Sequence, residues 1–295
     1  MLIVYCLVIA IASLYGGWLP SIVRMTHLRM QMILSSVAGV MLGVATLHLV
    51  PQAVRMMASL ESAMWMLLAG VLFMFFLNRI FHFHQHVTAE SQASDDPRND
   101  HVQCHHGSAT NLQELGTRDV SSLGLLLGMT IHTLLDGVAL AAATIAHGGS
   151  QWSATGFSVF LAIALHKPLD AMSVTSLMAA RRWSASKIAL ANVAIAITAP
   201  LGVLLFYFGI GSVPADNLGL IGGVMAFAAG AFLCISLGDL LPEVHFHKHD
   251  RLRLSAALLL GIAISVLVEL LPGHTHVIPD PDASKKPSAV DSSGL

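Results

Sequence analysis

Eight stretches of about twenty or more mostly apolar residues run through this chain, and each is long enough to cross a hydrocarbon core of about 30 Å as a helix. They cover roughly 2–23, 32–54, 61–81, 121–146, 152–179, 186–210, 217–244 and 254–272. A chain built this way is an all-α integral membrane protein. The composition agrees: 55% of the 295 residues are hydrophobic and 11% are charged, whereas an ordinary soluble domain carries about 25% charged residues and needs them to cover its surface. The mean hydropathy is +0.72. A formal net charge of −2 gives no reason to expect a nucleic-acid partner. Cys6, Cys104 and Cys234 are an odd, scattered set and imply no disulfide framework. The first stretch lacks a basic start and a second span follows it at once, so it is expected to be an uncleaved helix rather than a signal peptide.

Charge orients the bundle. The odd-numbered connections hold Arg24, Arg29, Arg79, Arg98, Arg118, Arg181, Arg182, Lys187, Lys248, Arg251 and Arg253; the other side holds Arg55, Lys285 and Lys286. The positive-inside bias puts the odd connections in the cytosol and both termini outside. Residues 83–119 are polar and rich in Asp, Ser and Asn, which predicts a disordered cytosolic loop. Residues 273–295, with Ile278-Pro279-Asp280-Pro281-Asp282, predict a mobile external tail. The expected location is a multi-pass one in a plasma or inner membrane, or in a Golgi-type endomembrane if the source is eukaryotic.

The second and seventh spans echo each other. At one fixed offset Gly39-Val40-Met41-Leu42 aligns with Gly230-Ala231-Phe232-Leu233, Leu49 with Leu240 and Pro51 with Pro242. His48 then falls opposite Asp239, and Gln52 opposite Glu243. The two spans cross in opposite senses, so the echo reads as an inverted repeat, the architecture of many transporters with a site between the halves near the midplane. Chance similarity among Gly/Leu/Pro-rich helices is the competing reading.

Spans 4 and 5 carry the chemistry. Between residues 121 and 180, up to the end of span 5, the only charged side chains are Asp136, Lys167 and Asp170, and each costs roughly 2.5–3.5 kcal/mol at the bilayer centre. Span 4 reads His132-Thr133-Leu134-Leu135-Asp136-Gly137, and span 5 reads His166-Lys167-Pro168-Leu169-Asp170. The i, i+4 spacing stacks each His and Asp on one helix face. Two such faces turned together would offer two imidazole nitrogens and two carboxylates to a four-coordinate divalent metal. Pro168 should kink span 5 and free the Ala164 carbonyl, which is tolerated at membrane depth only beside a cavity or inside protein. The competing reading is a helix–helix hydrogen bond from each His, with Lys167 and Asp170 as a neutralising ion pair.

These patterns resemble the ZIP family of divalent metal transporters, in particular its small Golgi-resident branch with His-Lys in the fifth span. The fourth-span His-Asn-x-x-Asp-Gly pattern is matched by His132 to Gly137, and the fifth-span His-Glu-x-x-(His or Glu) pattern by His166 to Asp170. The resemblance continues through Ala199-Pro200-Leu201-Gly202 and Asp239-Leu240-Leu241-Pro242-Glu243. It implies eight spans in a 3+2+3 inverted repeat: residues 1–82, the metal-site helices within 120–180, and residues 186–272. It also implies a homodimer, and makes His132, Asp136, His166 and Asp170 the transport-site ligands. Met41, His48, Lys167, Asp239 and Glu243 are the candidate pathway residues. Where binuclear members carry an Asn, an acid and a Glu, this chain has Thr133, Lys167 and Ala199. That departure predicts a mononuclear site, with the Lys167 ammonium in place of a second metal.

Histidines mark the third connection: His82, His84, His86, His101, His105 and His106, the last two beside Cys104. They are candidates for cytosolic metal capture, as His-rich tracts bind such ions; a solvated loop with incidental histidines is the alternative. His245, His247 and His249 follow span 7 on the same face, and His274 and His276 lie in the external tail. The function expected is transport of Zn²⁺ into the cytosol by alternating access, without a catalytic cofactor. Fe²⁺, Mn²⁺ and Cd²⁺ suit the same donors. An intramembrane zinc hydrolase of ceramidase-like type is the alternative; it would use three protein ligands and a water near one membrane face.

Overall fold

The computed structural model describes residues 1–22, 26–81, 112–146, 153–210, 218–240 and 251–270. Among them are eight helices long and apolar enough to span a membrane, and no strand. The elements are α1 (Leu2–Ile22), α2 (His27–Gly43), the π-helical turn π1 (Val44–Leu49), α3 (Val50–Met57), α4 (Leu60–Phe81), α5 (Leu112–Ile145), α6 (Ala154–Ala180), α7 (Ala185–Ile210), α8 (Leu218–Ile235), π2 (Ser236–Leu240) and α9 (Arg251–Glu269). Span 2 is therefore α2, π1 and α3 in sequence, and span 7 is α8 with π2.

Local chemistry sets the ends. Ser153 caps α6 by accepting the Gly156 N–H at 2.9 Å. Ala58, left-handed at φ 50°, ends α3 and turns the chain into α4. One expectation changes. Helix α5 begins at Leu112, inside the segment 83–119 assigned above to a disordered loop; the first residues, Leu112-Gln113-Glu114-Leu115, are good helix formers and prolong the span beyond its apolar part. Pro168 lies inside α6 without interrupting it. Gly16 of α1 lies so close to Pro168 that a Cβ would collide with its backbone, so α6 packs tightly against α1 at the proline.

The helices associate in two groups. The first is α1, α5, α6 and α7, paired most extensively as α1 with α6 and α5 with α7; the second is α2, α3, α4, α8 and α9, paired as α2 with α9 and α4 with α8. Contacts across the boundary run mainly through α5 against α8 and are sparser. Without water to drive association, membrane helices pack through small residues and polar contacts. In the second group the glycines do this. Cβ atoms at Gly39 and Gly261 would meet the carbonyls of Leu258 and Ser36, and Cβ atoms at Gly230 and Gly70 those of Leu67 and Phe227. The offset that aligns Gly39 with Gly230 also aligns Gly70 with Gly261, Ser36 with Phe227 and Leu67 with Leu258. Ser35 Oγ donates to the Leu254 carbonyl at 2.7 Å, and Ser236 Oγ to that of Ala38 at 2.8 Å.

Burial follows function. Span 2 is 67% buried, whereas α4 is only 22% buried and turns Trp65, Phe73, Phe75 and Phe76 outward. Helices α1, α7 and α9 likewise expose apolar faces, as lipid-facing helices do.

Candidate metal centre

Helices α5 and α6 lie side by side in the first group, and their i, i+4 pairs meet. His132 and Asp136 of α5 and His166 and Asp170 of α6 each offer a ligand atom, all within 4.8 Å of one another. His132, Asp136 and His166 are buried, and Asp170 nearly so. The Nε2 to Oδ2 separations are 3.3 Å for His166–Asp136, 3.4 Å for His132–Asp170, 3.5 Å for His132–Asp136 and 3.7 Å for His166–Asp170. Zinc bonds of about 2.0–2.2 Å to nitrogen and oxygen give a tetrahedron with edges of about 3.3–3.6 Å. Three of the four measured separations fall in that range, and the fourth, His166–Asp170 at 3.7 Å, lies just above it.

The tautomer of His166 sharpens the argument. Its Nδ1 lies 2.8 Å from the Ala162 carbonyl and can only donate there. In the neutral ring that leaves the Nε2 lone pair facing the Asp136 oxygen. Nε2 is thus available to a cation shared with the Asp136 carboxylate, which the Lys167 ammonium already partners. A backbone partner on the far ring nitrogen is the usual means of holding a metal-binding imidazole.

Lys167 is fully buried. Its ammonium pairs with Asp136, with Asp170 at 3.0 Å, and donates to Thr133 Oγ1 at 3.1 Å. Both expectations for span 5 are therefore met at once: the Lys167–Asp170 pair forms, and the four-residue cluster forms with it. Ala199 is buried against Gly137, where a Cβ would strike the Ala199 carbonyl. It supplies packing and no donor.

A small cleft of about 20 Å³ opens between α5 and α8. His132 and Asp136 sit in its wall, facing Val224, Phe227, Ala228, Ala231 and Phe232. The other candidates fall elsewhere. Met41 is fully buried in α2. His48, in π1, donates its Nε2–H to the Ser265 carbonyl at 3.0 Å, joining span 2 to α9, and is outside the four-residue cluster. Asp239 lies on π2, with its side chain outside the described set. Glu243, His82, His84, His86, His101, Cys104, His105 and His106 lie outside the described residues, as do His245, His247, His249, His274 and His276. Sequence reasoning missed Phe232; the echo aligned it with Met41, and that pairing was the available signal.

The profile of the ZIP zinc transporter family matches residues 1–269. The chain belongs to that family. It is 29% identical over 225 residues to zinc transporter ZIP9-B of Xenopus laevis, across 71% of this chain and 65% of that protein. It is 31% identical over 165 residues to zinc transporter ZIP9 of Macaca fascicularis, across 51% of this chain and 67% of that protein. It is 24% identical over 256 residues to zinc transporter 3 of Arabidopsis thaliana, across 78% and 71% respectively. The chain thus spans about two thirds of the length of these ZIP relatives, 65% in the Xenopus case. As a ZIP protein with eight membrane-length helices it is a multi-pass integral membrane protein.

Proposed function

We propose that this protein carries Zn²⁺ across a membrane, binding one ion at a time between His132, Asp136, His166 and Asp170. The observation that carries the reading is the convergence of two imidazole nitrogens and two carboxylate oxygens, all within 4.8 Å of one another, between two helices. The names of the related ZIP proteins agree with zinc as the cargo. Lys167 stands where a second metal would, bridging the two carboxylates, and makes the site mononuclear.

The motion fits the two-group packing. Helices α1, α5, α6 and α7 hold the ion and rock against the wall formed by α2, α3, α4, α8 and α9, exposing the site to each side in turn. The matched glycine contacts of α2–α9 and α8–α4 support an inverted repeat, and the equivalent positions of π1 and π2 support it independently. The basic connections orient transport toward the cytosol. A hydrolase would need a zinc position left to water; the clustering of four protein donors supports the transport reading instead, and no enzymatic step is proposed.

The test is zinc uptake by the purified protein in liposomes. Uptake is expected from the wild type and its loss from His132→Ala and Asp170→Ala. Amide cleavage without flux would overturn the reading in favour of the hydrolase.

A further inference from the structure

The boundary between the two helical groups carries one aromatic contact to a metal ligand. Phe232 of α8 stands edge-on to the His166 ring, with centroids 6.1 Å apart and planes at 80°. It is 2% exposed and lines the same cleft as His132 and Asp136. Along α8 the residues facing that cleft are Val224, Phe227, Ala228, Ala231 and Phe232, one face at helical spacing. Ala228 and Ala231 leave room beside the cluster; the Phe232 ring ends that room. His166 cannot turn aside, because Nδ1 is held by Ala162 and Nε2 faces the carboxylates.

We propose that Phe232 is the closing side chain of the metal path, an apolar stopper carried by the wall group that bears on His166 and withdraws when the two groups rock. The inference rests on the transport reading above. A divalent ion leaves a four-donor site only as water replaces its ligands, and an apolar constriction blocks that exchange by staying dry. Phe232 supplies no donor atom, so it controls passage without contributing to affinity. Its position, equivalent to Met41 in the other half of the echo, gives the wall one bulky, fully buried side chain in each half.

The experiment uses the full chain in liposomes holding a zinc-sensitive dye, comparing wild type, Phe232→Ala and Phe232→Leu across external Zn²⁺ concentrations. Zinc binding by the detergent-purified proteins is measured alongside. Phe232→Ala should add a non-saturating component that raises uptake about tenfold at saturating zinc, with the dissociation constant within about threefold of wild type. Phe232→Leu should fall between the two. Saturable uptake at the wild-type maximum or below, with binding intact, would overturn the proposal and make Phe232 mere filling. If Phe232→Ala does not fold, absence of the extra component in Phe232→Leu overturns it equally. Lack of saturable wild-type uptake would instead refute the transport reading, so the two failures are distinct.

Discussion

Two buried histidines on either side of the group boundary make opposite use of the same ring. His166, in α6, gives Nδ1 to a carbonyl of its own helix and turns Nε2 toward two carboxylates. His48, in π1, sets Nε2 against the Ser265 carbonyl of a neighbouring helix. The contrast extends to their surroundings. In the group of α1, α5, α6 and α7 the midspan charges converge on one point between α5 and α6. In the other group the buried hydroxyls of Ser35 and Ser236 are spent on carbonyls of partner helices, and glycines bring backbones together. One group is arranged to hold a cation and the other to be a wall. The difference lies in where polar atoms point and in composition, since α5 and α6 are the least apolar of the eight spans.

Removing a donor from the first group should have the largest effect. Asp136→Asn takes away the oxygen shared by His132, His166 and Lys167. Zinc affinity, read by equilibrium binding, should fall about a hundredfold or more, because even the outer partners of metal ligands are worth 10- to 100-fold. The matching strike on the wall is Gly230→Leu, whose side chain would enter the Leu67 backbone. Overpacking costs about 1–3 kcal/mol, and more against rigid backbone, so yield and melting temperature should drop while zinc binding per folded molecule persists.

Lys167 divides the comparison more finely. Lys167→Met removes a positive charge beside the ion and should tighten zinc binding about tenfold while slowing uptake. Lys167→Glu should raise the stoichiometry toward two; unchanged stoichiometry and transport would show that the ammonium has no part in the site. The smallest effect belongs to His48→Ala. Its interhelical contact is of a kind worth about 0.6 kcal/mol in membranes, so melting should shift slightly and zinc affinity not at all. A large loss of affinity would erase the distinction between the two histidines.

Much of this was legible in the residues. Eight apolar stretches give eight membrane-length helices because lipid leaves the backbone no other partner. The i, i+4 spacing of His132 with Asp136 and of His166 with Asp170 put each pair on one face, since helix geometry is local. Pro168 shows the limit of local reading. Its local tendency is to kink, yet α6 runs on through it, with Gly16 of a distant helix packed close against it. The start of α5 at Leu112 also escaped composition, which sees a polar loop where helix formers simply continue the span.

The sequence by itself determined the membrane class, the spans and the pairing of each His with an Asp on one helix face, because hydropathy and helical periodicity act over a few turns of chain. Only the tertiary structure decided that the two His/Asp pairs share one point, that Lys167 bridges their carboxylates, that His48 meets the Ser265 carbonyl, and that Phe232 stands against His166. Each of those depends on which helix faces which, and that choice is made by close backbone approach at glycines and by polar atoms seeking partners across helices.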